Sequence, residues 1–141
     1  MAFFTVKDKD AIVKAIEEAE AKTSGEIRVH VEKRAGKEPL HRAQEVFQRL
    51  GMHQTKERNG VLIYLVPGER RFAILGDEGI HRAVPDGFWD GIRAVMEAEF
   101  RQGHFREGVC QGVRMAGEAL ATYFPHQKDD KNELTNEISE G

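Results

Sequence analysis

Six consecutive apolar residues, Val61-Leu62-Ile63-Tyr64-Leu65-Val66, lie between Asn59-Gly60 and Pro67-Gly68-Glu69. A run this short, bounded by turn residues, reads as a strand covered on both faces, and so as the centre of a sheet. It is far too short to span a membrane. The turn after it returns the chain as a hairpin, with Arg70 to Leu75 as the second arm. The rest of the chain has to cover this strand.

The flanking segments have periodicities that can do so. Thr5 can cap a helix, Asp8 completes a capping box, and Ile12, Ala15, Ile16 and Ala19 form an apolar stripe. Thr23-Ser24-Gly25 ends that helix, with Gly25 suited to a left-handed C-terminal position. From Glu26 to Glu32 the chain alternates, with Ile27, Val29 and Val31 against Arg28, His30 and Glu32. This pattern predicts a strand with one covered and one wetter face. Pro39 opens a second helix with Ala43, Val46 and Phe47 on its apolar side.

After the hairpin, Gly76-Asp77-Glu78-Gly79 reads as a turn, Pro85 as the start of a helix anchored by Trp89, and Gly103 as its end. A last helix runs from about Phe105 to Pro125. In it, Gly108, Gly112 and Ala116 permit close approach to the layer beneath, although each helical Gly costs ~1 kcal/mol relative to Ala. The order helix, strand, helix, strand, strand, helix, helix predicts a mixed sheet. The first two strands run parallel through a right-handed crossover, and the third is antiparallel.

The 141 residues suit one domain. Net charge is −3, and its location matters more than its size. Residues 126–141 carry Lys128 and Lys131 against Asp129, Asp130, Glu133, Glu137 and Glu140, so the body before them is neutral. The body is therefore read as a domain over residues 1–125 and the remainder as an acidic tail, extended or disordered. A neutral body lacks the basic footprint of a nucleic-acid binder or a polybasic membrane-surface protein. With no secretory signal and no apolar span, the expected location is the cytoplasm, without membrane insertion, as a monomer.

Common catalytic constellations are missing. The histidines show no zinc-type HxH or HxxxH spacing, and neither Ser24 nor Ser139 lies in a GxSxG elbow. Cys110 falls inside the last helix, as a buried inert thiol would. Asp129-Asp130-Lys131-Asn132-Glu133 has calcium-friendly residues but not the order of an EF-hand loop.

Topology adds one convergence. The starts of the first two strands and the end of the third share one edge of the sheet. Glu26, Asn59, Asp77, Glu78 and, through the following loop, Asp86 thus meet at one rim. Oxygen-rich, Gly-containing loops suit a hard cation, but the same residues are those any turn prefers.

Thr23-Ser24-Gly25-Glu26-Ile27-Arg28-Val29, Asn59-Gly60-Val61-Leu62-Ile63 and Arg71 to Gly76 with the loop to Asp86 together resemble the TPM domain family. Phe100-Arg101-Gln102-Gly103-His104-Phe105-Arg106-Glu107-Gly108 and the closing Phe124-Pro125 extend the resemblance over about Val6 to Pro125. It implies a three-layer α/β/α sandwich, a small mixed sheet flanked by four helices. It also implies a divalent-cation-binding regulatory or adaptor protein of the short, free-standing bacterial kind, with calcium, or else magnesium, as the ion. Carried over by position, Asp77 and Asp86 are the first metal candidates, followed by Glu26 and Glu78, with Asn59 at the same rim. A metal-dependent phosphatase acting on phosphate monoesters is the alternative, using a metal at Asp77 and Asp86 and Arg58 on the phosphate. A metal-free protein-interaction module is the third. A LemA-like membrane protein is the partner the resemblance brings with it.

Overall fold

The structure is a computed structural model and describes residues 3–126 and 138–141. The Asp129–Glu133 stretch lies outside the described residues. The elements are α1 (Val6–Glu20), β1 (Glu26–Val31), α2 (Pro39–Arg49), β2 (Gly60–Val66), β3 (Arg71–Gly76), α3 (Glu78–Ala83), α4 (Phe88–Arg101), α5 (Phe105–Tyr123) and β4 (Ser139–Glu140). The strands form one open sheet in the order β3-β2-β1-β4. β1 pairs parallel with β2, and β2 pairs antiparallel with β3.

The apolar run is the central strand. All seven residues of β2 are buried, and its side chains divide between two cores by strand alternation. Val61, Ile63 and Leu65 join Ile27, Val29 and Ile74 beneath α1, α4 and α5. Leu62, Tyr64 and Val66 join Ala73, Ala43, Val46 and Phe47 under α2. Three layers result, with a heavy helical layer on one face and a single helix on the other.

The expected capping box is present. Thr5 Oγ1 accepts from the Asp8 N–H and Asp8 Oδ2 from the Thr5 N–H, each at 3.1 Å. Four expectations change. Gly25 is not left-handed; a Cβ there would lie 2.7 Å from Leu120 Cδ2, so close approach of α5 explains the glycine. The Gly108–Gly112 stripe faces α4 rather than the sheet, against Phe100 and Met96, because α4 and α5 form a helical hairpin. Residues 78–83 form a helix where the sequence reads as a turn and loop, since Asp77 caps them from an extended backbone. The second face of β1 is not wet. His30 and Glu32 are buried, because in-register pairing sets Tyr64 beside His30 and α2 lays Arg42 over Glu32.

The end of the chain returns to the sheet. Ser139–Glu140 pair parallel with His30–Val31, covering part of the β1 edge. The Gly141 N–H donates to the Val31 carbonyl at 2.9 Å, and Lys9 pairs with Glu140 at 2.8 Å.

Candidate functional site

Sheet register assembles the rim. Glu26 pairs with Gly60 across β1–β2, and Val61 with Gly76 across β2–β3. The Asp77 N–H donates to the Gly60 carbonyl at 2.9 Å, and the Glu26 N–H to the Asn59 carbonyl at 3.4 Å. Three segments distant in sequence are thus stitched together by backbone bonds, and Glu26, Arg58, Asn59 and Asp77 arrive at one edge.

Asp77 is already engaged there. Its carboxylate takes both Arg58 Nε and Nη2, and Oδ1 also accepts the Glu78 N–H at 2.8 Å as the cap of α3. Arg58 is held in the left-handed region, with φ 53°, to make this fork. Asn59 is buried. Its Nδ2 donates to Ser24 Oγ and Glu57 Oε2, both at 3.3 Å, and Ser24 Oγ donates to Glu57 Oε2 at 2.8 Å. Glu57 is a rim carboxylate outside the sequence-derived set.

Glu20 is the other. Its Oε2 accepts the Ile27 N–H at 2.8 Å, and its carboxyl is hydrogen-bonded to that of Glu26. Burial pushes Glu20 up to about 9, against the Ile27 hydrogen bond and with help from the charge of Glu26. Burial beside Glu26 thus favours the protonated form of Glu20. A sequence signal existed, because Glu20 follows Ile12 and Ile16 at four-residue steps and so falls on the buried stripe of α1.

Glu78 and Asp86 are more exposed than this pair. Glu78 is exposed and reaches back to Arg82 at 3.4 Å within α3. Asp86 is exposed beyond the C-terminal end of α3, in the turn before Gly87 (φ 79°). Among the described residues, no three His, Cys, Asp or Glu side chains are grouped to surround an ion.

A second polar cluster lies at the other end of β1, under α2. Glu32 accepts from Tyr64 Oη at 2.6 Å and from Arg42 Nε and Nη2 at 2.9 and 2.6 Å, with His30 Nε2 within 3.2 Å. Burial opposes ionisation of Glu32, but the bonds from Arg42, Tyr64 and His30 prevail and hold its carboxyl at about 2. Burial pushes His30 down and Tyr64 up. His30 Nδ1 meets Ser139 Oγ at 2.8 Å, so the returning chain end completes the cluster. The chemistry here is cohesive, since every member is engaged by another. Cys110 is buried in α5 with its thiol pKa raised by burial, an inert setting.

Comparison with known proteins places this geometry in context. The family model of the TPM domain matches residues 1–119. The chain is 48% identical to BA42 protein from the psychrophilic bacterium Bizionia argentinensis, whose NMR structure superposes with a TM-score of 0.93, covering 99% of this chain and 97% of that one. The N-terminal domain of a P. gingivalis protein shares 22% identity, with a TM-score of 0.69 over 89% of this chain and 83% of that one. The N-terminal domain of cg2496 protein from Corynebacterium glutamicum shares 18%, with a TM-score of 0.67 over 84% and 74%. These two show a common fold. No curated protein matches the sequence. Among the described residues, no helix is long and apolar enough to cross a membrane.

Proposed function

The chain belongs to the TPM domain family, and from that premise we propose that it is a divalent-cation-binding regulatory or adaptor protein whose ion binds at the rim where β1 and β2 begin. The observation that carries this is the Glu20–Glu26 carboxyl pair. Two carboxyl groups held together in a buried rim are an unfavourable way to store negative charge. A divalent cation relieves that repulsion by taking the place of the Glu20 proton. The surrounding donors are all oxygen or amide, and they suit calcium, which takes six to eight oxygens at about 2.3–2.6 Å, better than magnesium with its strict octahedron. Glu20, Glu26 and the Asn59 carbonyl supply the inner oxygens. Asp77, Glu78 and Asp86 are outer candidates, Asp77 only after parting from Arg58.

The test is a calcium titration of the full chain, followed by amide NMR and by calorimetry in buffers of different ionisation enthalpy. Expected are shifts at Gly25–Ile27 and Asn59–Gly60, release of about one proton near pH 7, and loss of both in Glu26→Gln. Shifts confined to residues 127–137, or none, would end the rim assignment. A phosphatase would need Arg58 for the phosphate, and that guanidinium is committed to Asp77. Metal-dependent hydrolysis of an aryl phosphate that disappears in Asp77→Ala would reverse this order.

A further inference from the structure

The end of the sheet opposite the rim carries a different surface. Where β2 ends and β3 begins, a half-open groove of about 740 Å³ runs between the hairpin and the α4–α5 corner. Its floor is aromatic. Phe72 meets Phe100 edge-on at 5.2 Å between centroids, Phe100 stacks near Phe105 at 5.9 Å, and Phe3 meets Phe105 edge-on at 5.2 Å. Phe3 and Phe105 are 45% and 41% exposed, although each touches other rings. Phe3 and Phe105 thus stand partly in water over the half-buried Phe72 and Phe100, an apolar floor open to a ligand.

The walls are basic. Arg70 and Arg71 come from the hairpin, and Arg93 and Arg101 from α4. Three carboxylates answer these four guanidiniums, Asp90 lying 3.8 Å from Arg93 and the other two lining the groove. Glu38 bonds to Arg71 at 3.0 Å, and Glu97 lies 3.9 Å from Arg101. Arg70 has no ion-pair partner among the described residues and is held in the left-handed region, with φ 54°. Such backbone strain at a non-glycine residue is a recurrent feature of binding sites. Arg93 and Arg101 are eight residues apart on one helix, about 12 Å along its axis.

We propose that this groove binds a short acidic peptide segment bearing aromatic side chains, the rings on the phenylalanine floor and the carboxylates at Arg70, Arg93 and Arg101. Charge complementarity selects the occupant. A fatty acid has one anionic head and needs an enclosed tail tunnel, whereas these cations are spread along an open groove. A peptide presents several carboxylates at that spacing and leaves its outer face in water. The groove and the rim lie at opposite ends of the sheet, so the two proposals stand or fall separately.

The probe is a fluorescein-labelled synthetic peptide of glutamates interspersed with phenylalanines, added to the full chain. Saturable anisotropy is expected, with amide shifts centred on Phe72, Phe100 and Phe105. Binding should weaken about tenfold or more in Arg93→Glu/Arg101→Glu and also in Arg70→Glu. These exposed sites leave the fold intact, which the unchanged spectra of the variants would register. Replacing the peptide's glutamates by lysine, or its phenylalanines by serine, should abolish binding. The proposal is overturned by absence of saturable binding, by equal binding of the lysine peptide or of both variants, or by shifts elsewhere. Laurate or a short single-stranded oligonucleotide occupying the groove where the acidic peptide does not would overturn it as well.

Discussion

Arg58 donates from Nε and Nη2 to the two carboxylate oxygens of Asp77, at 2.7 and 2.8 Å, and so ties the approach to β2 to the first turn of α3. The contact joins two loops that the hairpin register has already brought together, and it adds specificity to an edge otherwise made of turns. Because the same carboxylate caps α3, the two residues should contribute unequally. Asp77→Ala is expected to cost about 1–2 kcal/mol. Arg58→Ala, at a half-exposed side chain, should cost less. Urea denaturation of both single variants and the double variant checks this, and a coupling energy near zero would mean the fork is not structural.

Two glycines should respond in opposite directions to alanine. A Cβ on Gly79 would collide with the Glu57 carbonyl and lie 2.5 Å from that of Arg58. Gly79→Ala should therefore destabilise by about 2–3 kcal/mol despite better helix propensity. Gly91, inside α4, faces open space. Gly91→Ala should stabilise by about 0.5–1 kcal/mol. Thermal unfolding of the two variants, read side by side, separates close approach from simple propensity.

Glu20 shapes stability on the alkaline side. Its folded pKa is raised by burial from 4.5 to about 9, so the folded state binds the extra proton in that interval. The resulting stability is complete below pH 4.5 and is lost as pH rises through about 9. Glu20→Gln keeps an acceptor for the Ile27 N–H and removes the titration. It should raise stability at pH 8 by about 1–2 kcal/mol and flatten the alkaline slope. An unaltered slope in denaturation curves from pH 5 to 9 would contradict the raised Glu20 pKa.

Glu32 acts on the acid side. With its carboxyl held at about 2 against an ordinary 4.5, its contribution is present above pH 4.5 and is lost as pH falls through about 2. Glu32→Gln should cost about 2–4 kcal/mol at pH 7, because Arg42 loses its buried charge partner beside a buried tyrosine and keeps only the exposed Glu45. Tyr64→Phe should cost less, about 1–2 kcal/mol, for one hydrogen bond to a charged acceptor. Acid unfolding followed by circular dichroism distinguishes the two.

The returning chain end should control His30. Deleting residues 138–141 removes Ser139 from Nδ1 and uncovers part of the ring, so the imidazole pKa should climb back toward 6.5. The depressed pKa gives stability that is present above pH 6.5 and lost as pH falls through the folded value; the deletion should erase part of that dependence. An NMR titration of the ring protons before and after deletion provides the measurement, and an unmoved His30 would show that β4 does not cover it.

Much of the frame is readable without coordinates. The apolar run at Val61–Val66, the alternation at Ile27–Val31, the Thr5–Asp8 box and the stripes of α1 and α2 each encode their element locally, because amphipathic period and capping depend on neighbours in sequence. The convergence of Glu26, Asn59 and Asp77 follows from strand directions alone. Side-chain engagement does not. Nothing local distinguishes an Asp77 that caps a six-residue helix and holds Arg58 from one that turns toward an ion.

Apart from α3 and β4, the sequence by itself determined which segments are strands and helices, their order, and the edge at which the loops meet, since periodicity and chain direction are carried by adjacent residues. Only the tertiary structure decided which polar groups are buried and with whom. Glu20 beside Glu26, Glu32 beneath Arg42 and Tyr64, and Ser139 against His30 are contacts between residues separated by up to 109 positions. Their protonation is set by desolvation and by partners brought from other elements, and those exist only once the layers have packed.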